Sequence, residues 1–408
     1  MAVLYAGGQV FDGVGRMLDG HGALVEGERI KRLAPIGEFS GFAGPRVDTV
    51  GATVLPGLID CHVHLLYAGE GDPSVPIMKL NAGQLTMRGY GHALATLRGG
   101  VTAVRDCGGK DYLELAVRDS CNQGRLIGPT IRAAGRIICM TGGHGHRWGR
   151  VADGVDDVVK AVREQIHAGA DVVKLMATGG VMTPGVNPED AHYSREELTA
   201  GVAEGHRFHK TCASHAQGTA GIMNAVMAGM DSIEHGIFMD EECIAAMTSR
   251  GTYLVPTIAA LKNILAHRAE IPPYAVEKAE RVAERHRDSV QRYYRAGGLI
   301  AMGTDAGTPF NYHGENAQEV AHMVEYGVKP ADALTMSTIN GARLMRLDGR
   351  GAIAEGAYAD LLVVDGNPLV DIRAVADRRN HRLVVKNGAV VHRRGDAAAR
   401  AEFAAAAI

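Results

Sequence analysis

Short runs of alternating or β-branched apolar residues, broken by Gly and Asp, mark both ends of the chain. At the N-terminal end they are Ala2 to Tyr5, Gly22 to Val25, Arg29 to Leu33 and Thr49 to Leu55. At the C-terminal end they are Asp360 to Val364, His381 to Lys386 and Ala389 to His392, the last two joined by Asn387-Gly388. An Asn-Gly step between apolar runs predicts a two-residue hairpin. Either end alone is short of core, so the pattern predicts one small β-domain built from both termini.

The middle of the chain alternates between strand-like and helical patterns. Strands are predicted at Val54–His64, Val101–Cys107, Thr130–Cys139, Asp171–Met176, Cys212–His215, Asp231–His235, Tyr253–Pro256 and Leu299–Thr304. Helical patterns between them include Met78–Arg98, Val155–Ala168, Arg195–His209, Asp240–Arg250, Val276–Ala296 and Glu315–Tyr326. Ser194-Arg-Glu-Glu197 reads as a capping box. Eight strand–helix units predict an α/β fold, a (β/α)8 TIM-type barrel. A doubly wound open sheet is the alternative, but no Gly-x-Gly-x-x-Gly follows the first strand. The expected division is a β-sandwich domain of residues 1–55 plus 351–394, a barrel of 56–350 and a tail of 395–408. The Ala-rich end of that tail is expected to form a short helix.

Composition narrows this picture without redirecting it. With 408 residues, 46% hydrophobic and 22% charged, the chain can bury a large core without a disulfide framework. A net charge of −3 gives no electrostatic reason to expect nucleic acid or an anionic membrane as partner. No run approaches the roughly 18 apolar residues of a membrane helix, and the N-terminus lacks a basic segment followed by an apolar one. The six cysteines form no Cys-x-x-Cys pair and are expected as buried free thiols. A cytoplasmic setting is expected.

Chemistry gathers where the predicted strands end. The first ends in His62-x-His64, and residues two apart on a strand face one side. The fourth carries Lys174 in an otherwise apolar run, the fifth ends in His215, the sixth in His235 and the eighth reaches Asp305. In a barrel these positions share the C-terminal rim. Singly, each has an ordinary structural explanation; together they point to a metal centre, since imidazole and carboxylate suit zinc or a similar cation. Lys174 as an ammonium is no ligand. Reaction of its Nζ with carbon dioxide would give a carbamate able to bridge two cations.

The segments Leu55-Pro-Gly-Leu-Ile-Asp-Cys-His-Val-His64, Ile233-Glu-His-Gly236 and Gly303-Thr-Asp-Ala306 resemble those of the amidohydrolase superfamily, over nearly the whole chain. Gly142-Gly-His-Gly145 and Val173-Lys-Leu-Met-Ala-Thr-Gly-Gly180 resemble its imidazolonepropionase-related branch, which includes prolidase-like dipeptidases, carboxypeptidases and an ochratoxin-type amidase. The resemblance implies that His62, His64 and Asp305 hold one metal, that His215 and His235 hold a second, and that carboxylated Lys174 bridges them. It implies two divalent ions, zinc first among them, and carbon dioxide for the carbamate.

Asp305 and His144 are then the expected catalytic residues, the first moving a proton and the second donating to developing charge or to a substrate carboxylate. Substrate contacts are expected from His144, Arg147, Gln217 and Tyr193. Prolidase-like relatives often carry tyrosine where this chain has Gln217. The expected reaction is hydrolysis of an amide bond to a C-terminal amino acid, as in an Xaa-Pro dipeptidase, a carboxypeptidase or an N-acyl-amino-acid hydrolase. A cyclic-amide hydrolase, an ochratoxin-type amidase and a non-catalytic binding protein are the alternatives. The expected partner is a small peptide or N-acyl amino acid, and a homo-oligomer is expected on general grounds.

Overall fold

A computed structural model describes residues 2–395. The expected terminal helix lies outside the described residues. Two sheets carry the terminal strands. One places Arg29–Pro35, His21–Glu26, Ala2–Ala6 and Arg46–Asp48 side by side. The other runs Ala389–Arg393, His381–Lys386, Leu361–Asp365, Ala52–Pro56, Gln9–Phe11 and Met17–Leu18. The second therefore interleaves the two ends of the chain. A core of Tyr5, Val10, Val25, Ile30, Val54, Leu361, Val363 and Leu383 lies within these sheets. The hairpin forms as expected, with Asn387 and Gly388 both left-handed at φ 47° and 75°.

The remainder is the (β/α)8 barrel. Its strands are Leu58–Val63, Val101–Asp106, Thr130–Ala133, Val172–Met176, Thr211–Ala216, Ser232–His235 and Tyr253–Val255, with parallel pairing between consecutive members except across the third-to-fourth step. That step is closed by Asp171 N donating to the Ala133 carbonyl.

The sequence expectation fails at three strands. Val54–His64 is two strands: Ala52–Pro56 pairs with Leu361–Asp365 in the terminal sheet, and Leu58–Val63 opens the barrel. Gly57 is the switch, and a Cβ there would meet the Thr102 side chain at 2.2 Å. Thr130–Cys139 breaks into Thr130–Ala133 and Ile138–Cys139 around Gly135, left-handed at φ 74°. Leu299–Thr304 makes only one bridge, Ile300 with Leu254. It still closes the barrel, because Cys61 N donates to Met302 O and Asp305 N to His62 O.

Helix boundaries shift in the same local way. The expected Met78–Arg98 helix is two, Ser74–Lys79 and Ala82–Arg98, because Asn81 caps the second through a capping box with Gln84. The capping box expected at Ser194 and Glu197 is present. All six cysteines are buried and free. Among the described residues no helix is long and apolar enough to cross a membrane.

Candidate metal centre

Parallel pairing sets the level of the strand ends. Met176 stands beside His215 and Ala216 beside His235, so Lys174, His215 and His235 reach one end of the barrel. Closure of the barrel brings Asp305 to the same place. Its nitrogen bonds to the His62 carbonyl at 2.7 Å, and Val63 bridges Ala306. His62, His64, Lys174, His215, His235 and Asp305 line a single pocket together with His144 and Gln217.

The backbone is strained where the strands end. His235, Thr257 and Asp305 are left-handed at φ 73°, 53° and 60°. A non-glycine residue in that region is uncommon and is held there by its surroundings, most often at functional sites.

Each imidazole is anchored through one nitrogen. His62 Nδ1 meets Glu234 Oε2 at 2.7 Å, His64 Nδ1 donates to the Gly108 carbonyl at 2.7 Å, and His235 Nδ1 meets Thr257 Oγ1 at 2.7 Å. His215 Nε2 lies 2.9 Å from the Gly179 carbonyl. The other nitrogen is left for the centre, an arrangement that fixes metal-ligating histidines. The His62 and His235 rings are 5.2 Å apart, and those of His215 and His235 are 4.5 Å apart.

Asp305 Oδ1 lies 3.5 Å from His62 Nε2 and 3.3 Å from His64 Nε2, yet it is buried and hydrogen-bonded to neither. Among the described residues the 1%-exposed Lys174 likewise has no hydrogen-bond or ion-pair partner. A buried carboxylate oxygen and a buried lysine without hydrogen-bond partners are each costly. The ligand atoms of His62, His235 and Asp305 all lie within 4.8 Å of one another. This donor set, with its orphaned acceptor, fits divalent cations.

Electrostatics keep the donors in the forms a cation needs. Burial, then the positive charge of Lys174, holds His62 well below its usual pKa. Burial also drives His215 and His235 well down. Burial raises the Asp305 carboxyl, but the surrounding charges led by His62 outweigh it and leave the pKa below the usual value. His64 moves the other way: burial lowers it, and Asp305 beside it more than restores it. His144, whose Nδ1 shares a 2.7 Å hydrogen bond with Thr183 Oγ1, is pushed down to about 3 by burial and by its cationic neighbours.

Two expected substrate contacts stand apart. Tyr193 is a correction: it is 1% exposed, its hydroxyl donates to the Ala152 carbonyl at 2.8 Å, and it packs in the barrel core. It has no face to offer a substrate. Arg147 is exposed and does not line the pocket; its guanidinium donates to Ser74 Oγ at 3.1 Å, at the rim.

Sequence reasoning missed the support behind the floor. Arg105, 1% exposed, donates to Glu234 Oε1 at 2.7 Å, to Ser232 Oγ at 3.1 Å and to the Cys61 carbonyl at 2.6 Å. Glu234 in turn holds His62. Asp60 ties the first and eighth strands, accepting from the His62 and Thr304 nitrogens, Thr304 Oγ1 and Asn316 Nδ2. Burial pushes its carboxyl up to about 6. Arg105 gave a signal related to that of Lys174, a charged residue inside a buried strand, there next to Asp106.

A parallel barrel with histidines and an aspartate converging on its rim defines a class, and residues 53–391 match the amidohydrolase family. The chain belongs to that family and is a hydrolase acting on C–N bonds. It is 32% identical over 370 residues to ochratoxinase from Aspergillus niger, covering 82% of this chain and 75% of that protein. It is 28% identical over 391 residues to imidazolonepropionase from Micrococcus luteus, covering 87% and 90%. Among solved structures, an Xaa-Pro dipeptidase with methionine in its active site superposes with a TM-score of 0.89 at 32% identity, covering 96% of this chain and 99% of that one.

Proposed function

We propose that this protein hydrolyses the amide bond to a C-terminal amino acid, in an Xaa-Pro dipeptide or an N-acyl amino acid. The observation that carries the proposal is the convergence of His62, His64, His215, His235, Lys174 and the unpaired Asp305 oxygen on one pocket floor. In this reading His62, His64 and Asp305 hold one divalent cation and His215 and His235 a second. Zinc is the ion proposed, on the imidazole and carboxylate donors. Lys174 Nζ would take up carbon dioxide with loss of a proton, and the resulting carbamate would supply anionic oxygen donors to the cations. When bound, such cations supply an acidified water and Lewis-acid polarisation of the carbonyl.

The chain's own groups do the rest. Asp305, held ionised by its cationic surroundings, takes the proton of the attacking water and returns it to the leaving amine. His144, neutral and fixed through Nδ1, donates from Nε2 to developing negative charge or to the substrate carboxylate. Glu234 and Arg105 keep the His62 ring in place.

A second reading, an ochratoxin-type amidase, is favoured by the apolar side of the pocket. Val181, Met182, Ile237, Leu261 and Ile264 line it and would suit a bulky aromatic acyl group. A panel of Xaa-Pro dipeptides and N-acyl amino acids, run beside metal analysis, tests both. Release of the C-terminal amino acid by protein carrying two zinc ions is expected. No release from any member by that zinc-loaded protein would overturn the reading. Protein that holds no metal after gentle purification would favour a non-catalytic role.

A further inference from the structure

Gln217 is a polar side chain at the edge of the apolar wall whose bonding capacity is open at both ends. It is 5% exposed and lines the pocket. Its backbone is pinned: the nitrogen donates to Thr178 Oγ1 at 3.0 Å and the carbonyl accepts from Phe238 N at 2.8 Å. Its side chain is not. Oε1 is buried with no partner, and among the described residues no hydrogen bond holds Nε2.

Several other polar groups around it have partners. Thr183 and Thr257 bond to His144 and His235. Thr308 donates to the Asp305 carbonyl. His286 is the exception: its ring is 1% exposed and both of its nitrogens also lack a hydrogen-bond partner. Asp305 Oδ1 faces the imidazoles. Trp148 Nε1 is unpaired too, but its ring packs edge-on to Tyr67, on the opposite, His64 side.

A buried polar group without a partner is unfavourable, and native structures hold few of them. An amide offers one acceptor and two donors with no net charge. Its complement is a neutral group that both donates and accepts, such as a carboxamide or a ureido group. A carboxylate would face Oε1 with its own lone pairs. No lysine or arginine except Lys174 lines the pocket to offset that. A purely apolar group would leave both ends of the amide unmet.

We propose that Gln217 is a specificity-determining residue that selects substrates carrying a second, non-scissile carboxamide or ureido group beside the amide that is cleaved. The inference rests on the hydrolytic reading of this site. It adds to that reading a chemical requirement on one arm of the substrate.

The test uses pairs of substrates that differ only in a side-chain carboxamide against the near-isosteric thioether, glutamine against methionine. The group is placed first on the leaving amino acid and then on the acyl side. Each pair is assayed with the metal-loaded wild type and with Gln217→Met, whose fold is checked by its thermal midpoint. On one arm the wild type should favour the carboxamide by about tenfold or more in kcat/KM. Gln217→Met should abolish or reverse that preference. Equal rates for both pairs in the wild type, or a preference that the variant leaves unchanged, would overturn the proposal. Calorimetric binding of free glutamine against free methionine needs no turnover. If no panel member is hydrolysed, tighter glutamine binding that the variant loses supports the proposal, and equal binding overturns it. Failure of the reaction class and failure of the recognition are thereby told apart.

Discussion

At the floor of the pocket the imidazoles of His62, His64, His235, His215 and His144 are gripped from behind, by Glu234, Gly108, Thr257, Gly179 and Thr183. At the mouth apolar side chains dominate the walls, and among the described residues no hydrogen bond engages the Gln217 side chain. The two regions also differ in origin. The floor hangs from strand ends whose level is fixed by the barrel's pairing. The mouth comes from the segments after those strands, around Asp72 to Ser74, Val181 to Thr183 and Thr257 to Ile264. Pre-organisation belongs to the floor, where chemistry needs it. In the proposed reading selection of substrate belongs to the mouth, since the same fold can carry many mouths.

The largest effect that tests this contrast is at Asp305. Replacing it with Asn should lower kcat about 10²–10⁴-fold, while circular dichroism and the thermal midpoint show an intact fold. Substantial remaining turnover would remove Asp305 from proton transfer.

Next is the grip itself. Glu234→Gln keeps the shape but breaks the buried pair with Arg105 and loosens His62. Metal affinity should weaken about 10–100-fold, read by competition with a chromophoric chelator. Unchanged affinity would mean that the floor does not depend on its backing.

A change at the mouth should do the opposite. Leu261→Val removes a methylene from the apolar wall and should lower kcat/KM for a bulky apolar substrate by roughly tenfold, with zinc content unchanged. If metal is lost as well, floor and mouth are not separable.

The smallest effect is a pH dependence that lies outside both regions. Burial pulls His92, in the helix Ala82–Arg98, and His381, at the start of a terminal-sheet strand, from 6.5 down to about 4. Between those values the unfolded chain binds protons that the folded one refuses. Their contribution to stability is therefore full above about pH 6.5 and is lost as pH falls toward 4, while buried Glu319 and Asp60, raised to about 8 and about 6, contribute in the opposite sense. The difference in urea midpoint between wild type and a His381→Gln variant should therefore change across pH 7 to 4, in the direction of relatively greater loss for the wild type. A difference that does not change with pH would contradict the burial-driven shift at His381.

Much of the floor was legible in the sequence because strand geometry is regular. A period of two puts His62 and His64 on one side, and the ends of parallel strands share a rim. The barrel and the two-ended sheet domain were legible for the same reason. What escaped depended on distance along the chain. Arg105 and Glu234 are 129 residues apart, and no local pattern pairs them. The eighth strand was read as regular, yet it survives as a single bridge, because pairing is set by neighbours rather than by its apolar run. Tyr193 was misplaced for a related reason. Its position beside the Ser194 cap suggested the mouth, while burial of its ring against the core decided otherwise. The mouth was least legible of all, since parts of it such as Val181 to Thr183 are loops, whose conformation carries no period.

The central claim is that the floor is a two-cation centre bridged by a modified lysine. Anomalous diffraction at the zinc edge, from crystals grown with zinc and bicarbonate, tests it most directly. The account predicts two anomalous peaks, one against His62, His64 and Asp305 and one against His215 and His235, with carbamate density continuous from Lys174 Nζ. An unmodified Nζ in a metal-loaded crystal, or no peak among these residues, would contradict it.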